Sequence, residues 1–186
     1  RKRLSPALSV SYRLLRNESL FLRAMMKNTF RVPTFTDMYY QHIGNTNLVP
    51  EKATEWNIGM TWNGRLPGDI GIRLTADAYY NKVKDKIVAF PTTYVWKMTN
   101  LGKVDIKGID ASIAMQIPIT KSISAEIAAA YTLQNATDKT DPETVSYGTQ
   151  IPYTPRHSGN GSLTLNTPWV NIGYSLIACG ERWSMI

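Results

Sequence analysis

Apolar and polar residues alternate along most of this chain with a period of two, the signature of strands with two unlike faces. In "DIGIRLTADAYY", Ile70, Ile72, Leu74, Ala76, Ala78 and Tyr80 share one face and Gly71, Arg73, Thr75, Asp77 and Tyr79 the other. "EWNIGMTW" sets Trp56, Ile58, Met60 and Trp62 against Glu55, Asn57, Gly59 and Thr61. "GIDASIAMQI" and "SISAEIAAAYTLQ" repeat the pattern through Ile109–Ile117 and Ile123–Leu133. Leu8, Val10, Tyr12 and Leu14 share a face near the start, Leu20, Leu22, Ala24 and Met26 follow, and Val170, Ile172, Tyr174, Leu176 and Ala178 do so near the end. The pattern predicts eight strands, over 5–14, 18–29, 53–63, 69–81, 104–117, 122–134, 158–166 and 169–180. The apolar faces carry no charge, whereas the opposite faces carry Arg13, Arg23, Lys27, Glu55, Arg73, Asp77, Asp110 and Glu126.

The connections alternate in length. "LRNE", "NGRLPGD", "PITK" and "NTPW" are short, and the three connections between them, over roughly 30–54, 82–105 and 135–157, are long and polar. Long and short connections therefore leave opposite ends of one antiparallel meander. Lipid offers no hydrogen-bond partners to a backbone, so strands that cross a membrane must pair on both sides. A transmembrane β-barrel meets that demand with strands of about ten residues, short turns at one end, long loops at the other, and apolar side chains facing out. Aromatics near strand ends suit its interfacial girdles: Trp62 and Trp169 at the short-turn end, and Trp56, Tyr80, Tyr131 and Trp183 nearer the long-loop end. A soluble antiparallel sandwich, its apolar faces packed on each other and its loops holding a carbohydrate or protein partner, is the alternative the alternation leaves open.

Composition narrows the function classes. The 186 residues suffice for one domain, and a 43% apolar content argues against disorder. The net charge of +7 is scattered, its densest cluster being Arg1, Lys2 and Arg3, so no nucleic-acid patch is expected. One cysteine, Cys179, and two distant histidines, His42 and His157, exclude a disulfide framework and metal-ligand spacing. No phosphate loop, nucleophile elbow or fixed carboxylate pair occurs, so neither an enzyme nor a bound cofactor is expected.

The first long connection carries a more specific signal. "FRVPTFTDMYY…GNTNLVPEKATEWNIGM" resembles the signature of TonB-dependent outer-membrane receptors: an aromatic-Arg-x-Pro turn at Phe30, Arg31 and Pro33, an Asn-x-x-Leu-x-Pro-Glu loop with Asn45, Asn47, Leu48, Pro50 and Glu51, and a strand opening with Glu55, Trp56 and Gly59. Tyr79, Asp85 and Ile87 resemble the next strand's ending. Asn100, Gly102, Gly108, Ile109 and Asp110 resemble the following strand, and Ile151, Pro152, Pro155, Arg156 and His157 the one after. The matches run in family order across residues 18–183, closest to the cobalamin and ferric-siderophore branch.

The resemblance implies an all-β antiparallel meander within a plugged barrel of about 22 strands. Residues 1–186 would be a fragment of its C-terminal half, with the plug and the remaining strands elsewhere. It further implies import of a scarce ligand (ferric siderophore, haem or cobalamin) by a receptor in the bacterial outer membrane. The partners would be TonB acting through the plug, outer-membrane lipid and, in some receptors, a surface lipoprotein. Loop aromatics and a histidine suit a flat or metal-chelating ligand, which makes Tyr39, Tyr40, His42, Tyr94, Trp96 and Tyr147 the ligand-binding candidates. Arg31, Pro33, Asn47, Pro50, Glu51 and Gly108 are expected to organise structure, with Glu51 bonding loop backbone or pairing with Arg31 or Lys52.

Overall fold

A computed structural model describes residues 4–15, 19–91, 94–144 and 147–182. The strands are β1 (Ala7–Leu15), β2 (Ser19–Arg31), β3 (Glu51–Leu66), β4 (Ile70–Pro91), β5 (Trp96–Pro118), β6 (Ser124–Asp138), β7 (His157–Asn166) and β8 (Asn171–Cys179). They form one antiparallel sheet in sequence order, β1 to β8. Strand number and order are those the alternation predicts. Among the described residues no second sheet covers either face, which removes the sandwich alternative. Among the described residues the one helix, α1 (Phe35–Tyr39), is a single turn in the first long connection, and none is long and apolar enough to cross a membrane.

The register carries like residues along rows. One row reads Ala24, Ile58, Ala78, Ile109 and Leu133; another reads Leu20, Trp62, Leu74, Ile113 and Ala129. This face is apolar and open: Ile58 is 68% exposed and Ile109 52%. Intervening rows carry Arg23, Asp77, Asp110 and Thr132 on the opposite face. An uncovered apolar face of this extent is stable only against lipid or another apolar surface.

Two predicted boundaries change. β4 and β5 run about eight to ten residues past their expected ends in one register, interrupted only at Asp85, from Gly71↔Gln116 to Pro91↔Trp96. The second long connection is therefore a projecting hairpin, and Trp96 opens β5 instead of lying in a loop. "KVKDKIVAF" hides its strand character because lysines occupy its solvent-facing alternate positions, a pattern that reads as loop. Glu51 likewise opens β3, and β2 continues to Arg31. Trp183 and Arg1–Arg3 lie outside the described residues.

The small buried core sits beyond the apolar band, on the polar-face side. Val83, Val104, Ala136 and Ile151 pack together with Ala53, Leu101 and Ile106 against them. Ile151 arrives from the third long connection, which folds back along β6. The Ile151 N–H donates to the Ala136 carbonyl (2.8 Å), the Gln150 Oε1 accepts from the Ala136 N–H (3.1 Å), and the Gln134 N–H donates to the Arg156 carbonyl (2.8 Å). These bonds occupy the edge of β6 that β7 leaves free above Leu133↔His157.

Candidate functional site

The long-connection end is built outward from β2 and β3. Thr34 caps α1: its Oγ accepts from the Asp37 N–H (3.1 Å), and the Asp37 carboxylate accepts from the Thr34 N–H (2.9 Å), a reciprocal capping box. Arg31 donates to the same carboxylate at 2.8 Å. The Thr34 N–H, with its hydroxyl and Arg31 adding to it, holds the Asp37 carboxyl below its ordinary range, against the opposing effect of burial. Pro33 lies directly before this cap, between it and Arg31.

Arg31 also lies 3.9 Å from Glu51, whose Oε2 accepts the Ile87 N–H of β4 at 3.1 Å. The Ile43 carbonyl accepts from the Met98 N–H (2.8 Å), and the Asn45 side chain donates to the Met98 carbonyl (3.0 Å). Asn45 also turns its own loop by accepting from the Asn47 N–H. Asn100 is the most connected: its Oδ1 accepts from the Val49 N–H (3.0 Å), and its amide donates to the carbonyls of Val49 (3.1 Å) and Asp85 (2.6 Å). Asp85 has left the ladder, with φ 57, between the pairs Lys84↔Lys103 and Lys86↔Leu101. Leu48 is buried, and Pro50 joins the loop to β3. The first connection is thus fastened to the β4–β5 hairpin by side chains about 50 positions apart, contacts no local pattern encodes.

Two glycines act by absence. Gly59 stands between Arg23 and Asp77 in one row, and Arg23 reaches across it to both Asp77 oxygens at 3.1 Å. A Cβ at Gly59 would lie 2.0 Å from Asp77 Oδ1. Gly108 stands between Tyr79 and Gln134, and the Tyr79 hydroxyl donates across it to Gln134 Oε1 at 3.1 Å. A Cβ there would meet Tyr79 Oη at 2.5 Å and the Leu133 carbonyl at 2.6 Å. Lys27–Glu55 (3.0 Å) adds a further ion pair on this face.

The candidate ligand residues fall into separate groups. Tyr39 stacks obliquely on Phe35 (4.8 Å between centroids), with Tyr40 next to it, and all three are exposed. His42 is exposed in the following turn with φ 63. Tyr94, 93% exposed, lies at the hairpin tip. Trp96 packs on Tyr153 of the third connection (5.4 Å), and Lys139 Nζ sits 4.5 Å over the Tyr147 ring. The hairpin and third connection thus meet through Trp96, while Tyr39 and Tyr40 belong to the first connection. Phe35 lies outside the residues expected to meet ligand, whereas Tyr153 is a third-connection aromatic of the same kind as Tyr147. Their signal is proximity: Phe35 lies one turn from Tyr39, and Tyr153 follows the Pro152 of a recognised motif. Among the described residues no three His, Cys, Asp or Glu side chains converge as a metal site would require.

An open antiparallel sheet with a lipid-compatible face, tight turns at one end and a braced loop assembly at the other defines a segment of a membrane β-barrel. A model of the TonB dependent receptor-like β-barrel family matches residues 1–184, and the chain belongs to that family. It is similar to the vitamin B12 transporter BtuB of Vibrio vulnificus (strain YJ016), 30% identical over 100 residues that make up 52% of this chain and 16% of that protein. Its fold matches the siderophore receptor PirA from Pseudomonas aeruginosa (17% identity, TM-score 0.58, 94% of this chain and 30% of that one). It also matches the copper transporter OprC (17% identity, TM-score 0.65, 91% of this chain and 25% of that one). The chain therefore spans less than a third of each of these relatives. Barrels of this family reside in the bacterial outer membrane, and its members are receptors and transporters, not enzymes.

Proposed function

We propose that residues 1–186 are part of the C-terminal half of a TonB-dependent receptor barrel that binds and imports a scarce, bulky ligand, of the cobalamin or ferric-siderophore class, with haem as the third candidate. TonB would act through a plug that is not part of this stretch, and a surface lipoprotein is a further candidate partner. The supporting observation is the long-connection end: exposed rings at Tyr39, Tyr40, Tyr94, Trp96 and Tyr147, with His42 beside the first pair, carried on a braced frame. Flat aromatic faces suit large ligands with extended apolar or conjugated surfaces. The likeness to a vitamin B12 transporter supports testing cobalamin first.

The test is uptake of labelled cobalamin and of labelled iron on catecholate and hydroxamate carriers by cells whose only copy of the full-length receptor is this one. Uptake of one class that disappears without TonB supports the reading, and uptake indifferent to both receptor and TonB overturns it. Tyr39→Ala, Tyr40→Ala and Tyr94→Ala should each raise the half-saturating ligand concentration about three- to tenfold. Unchanged values in all three would remove these residues from the ligand surface.

A further inference from the structure

The polar face carries a hollow of about 350 Å³ just beneath the buried core of the loop frame. It lies on two neighbouring rows. The lower reads Asn57, Tyr79, Gly108 and Gln134, and the upper reads Glu55, Asn81, Ile106 and Ala136. The row above these, Ala53, Val83 and Val104, belongs to the buried core. Gly108 leaves the lower row open, and the Tyr79 hydroxyl crosses that gap to donate to Gln134 Oε1 at 3.1 Å. The NH2 of Gln134 is then its free end. Met25 and Ile106 supply the apolar part of the lining.

Three primary amides and a carboxylate line this space. The carboxylate is engaged: Glu55 Oε1 accepts from the Thr29 hydroxyl at 3.0 Å, and Oε2 lies 3.0 Å from Lys27 Nζ. The amides are not. Among the described residues the side chains of Asn57 and Asn81 have no hydrogen-bond partner, nor has the Gln134 NH2. All three residues are half-buried. Each amide offers two N–H donors, and Asn57 and Asn81 add a carbonyl acceptor apiece. A ligand that strips water from such groups without replacing its bonds loses affinity. A neutral carboxamide replaces donors and acceptors together. An anion satisfies the donors only, and it would face the row below, where Asp77 and Asp110 stand side by side. Arg23 pairs with Asp77, while Asp110 forms no ion pair among the described residues. Size narrows the occupant further. Pockets for whole ligands span about 300–1,000 Å³, so a hollow at the low end of that range holds a side arm of a bulky ligand.

We propose that Asn57, Asn81 and Gln134 form a subsite for the neutral carboxamide arms of the imported ligand, on the inner wall below the loop aromatics. This rests on the import reading and deepens it, because it favours a carboxamide-bearing ligand such as cobalamin over an anionic ferric catecholate. The loop rings would grip the extended surface of the ligand, and the amides would read its edge. Sites built to hydrogen-bond a polar group discriminate strongly against analogues that cannot return those bonds.

The test uses the full-length receptor in detergent and equilibrium dialysis with two probes: cobalamin, and a cobalamin monocarboxylate in which one carboxamide has been hydrolysed. Wild-type receptor should hold cobalamin at least tenfold more tightly than the monocarboxylate of the arm that enters the hollow. Asn57→Ala/Asn81→Ala should weaken cobalamin at least tenfold and bring the two probes within about twofold of each other. Asn81→Ala alone should weaken cobalamin about threefold, which keeps the test available if the double variant fails to fold. Asn160→Ala, on the same face of β7, should leave both values unchanged. Unchanged cobalamin affinity in the folded double variant overturns the subsite. Equal weakening of both probes also overturns it, since a merely structural role would act that way. Peptide amides of the plug are the other source of this chemistry. Faster proteolytic release of the plug from the double variant, with cobalamin affinity intact, would assign the hollow to the plug and overturn the proposal. Uptake separates this inference from the reading beneath it. TonB-dependent uptake of a ferric catecholate without cobalamin binding leaves the import reading standing and sinks the subsite alone, whereas uptake indifferent to receptor and TonB sinks both.

Discussion

Gly59 and Gly108 show how a missing side chain ties three strands together. On the polar face a long side chain bonds two strands away only if the residue between has no Cβ. Arg23 crosses Gly59 to reach Asp77, and Tyr79 crosses Gly108 to reach Gln134. The sequence marks both positions as motif residues but gives no reason for them. Gly108→Ala should destabilise the folded receptor by about 1–3 kcal/mol, because the new methyl meets backbone as well as the tyrosine. Gly161→Ala, whose Cβ would have nothing nearer than 3.8 Å, should be close to neutral. Thermal melting of both full-length variants checks this, and equal melting temperatures would refute the crossing argument. Asp37 makes a second residue-scale case. Its carboxyl is held below its ordinary value of 3.8, chiefly by the Thr34 N–H. A depressed acid contributes its full stabilisation above that ordinary value and loses it as pH falls through the lower, folded-state value. The first connection should therefore resist protease unchanged from pH 7 to about pH 4 and loosen only below that range. Asp37→Asn should loosen it by about 1–3 kcal/mol at neutral pH and make no further difference once the wild-type carboxyl is protonated, and a wild-type transition near neutrality would contradict the assignment.

At the scale of elements, the consequential feature is that a loop and a hairpin form one unit. Asn100 bonds three backbone groups, two on Val49 and one on Asp85, and Asn45 with Ile43 holds the facing side of the hairpin at Met98. Removing the Asn100 amide leaves the Val49 N–H and two carbonyls without that partner, so Asn100→Ala should speed hydrogen exchange both in residues 45–50 and in the hairpin near 85–87. A loop that merely lay on the hairpin would respond on its own side only, so acceleration confined to one element would break the coupling argument. The legibility of these elements from sequence divides by the range of the contacts that define them. Eight strands in meander order follow from alternation, because burial against lipid imposes the same period-two rule at every step. The projecting part of the β4–β5 hairpin reads as loop, since water on its outward side permits lysines at 82, 84 and 86 where lipid would demand apolar residues. Trp96 moved into a strand for the same reason. The aromatic positions could be picked from sequence, but the pairings Trp96–Tyr153 and Asn100–Val49 depend on register and on loops folding back, which no window of the chain contains.

For the whole molecule, the two faces of the sheet divide the labour. Each strand presents one side to hydrocarbon and the other to the interior, and a one-residue step switches the solvent. Ile113 lies on the apolar face in the row Trp62, Leu74, Ile113 and Ala129, well below the Trp56–Tyr80 girdle. Thr132 lies on the opposite face, paired with Asp110. An arginine at Ile113, two strands along the row from the short-turn-end Trp62, must either bury its charge in that part of the apolar band or distort the strand to reach water. An arginine at Thr132 keeps water or protein as its surroundings and gains a carboxylate neighbour. Ile113→Arg should therefore cost about 1–2 kcal/mol of barrel stability in lipid, between the midplane and interface values, and Thr132→Arg less than about 1 kcal/mol. The measurement is reversible urea unfolding of the full-length receptor in vesicles, followed by tryptophan fluorescence. The asymmetry also orders the outcomes. Were the apolar face covered by protein, Ile113→Arg would be costly in detergent and lipid alike. With lipid as its solvent, the penalty should shrink in short-chain detergent, where the arginine reaches water through a thinner apolar layer, and grow as the acyl chains of the vesicle lengthen. A cost independent of chain length would place protein, not lipid, against this face of the sheet.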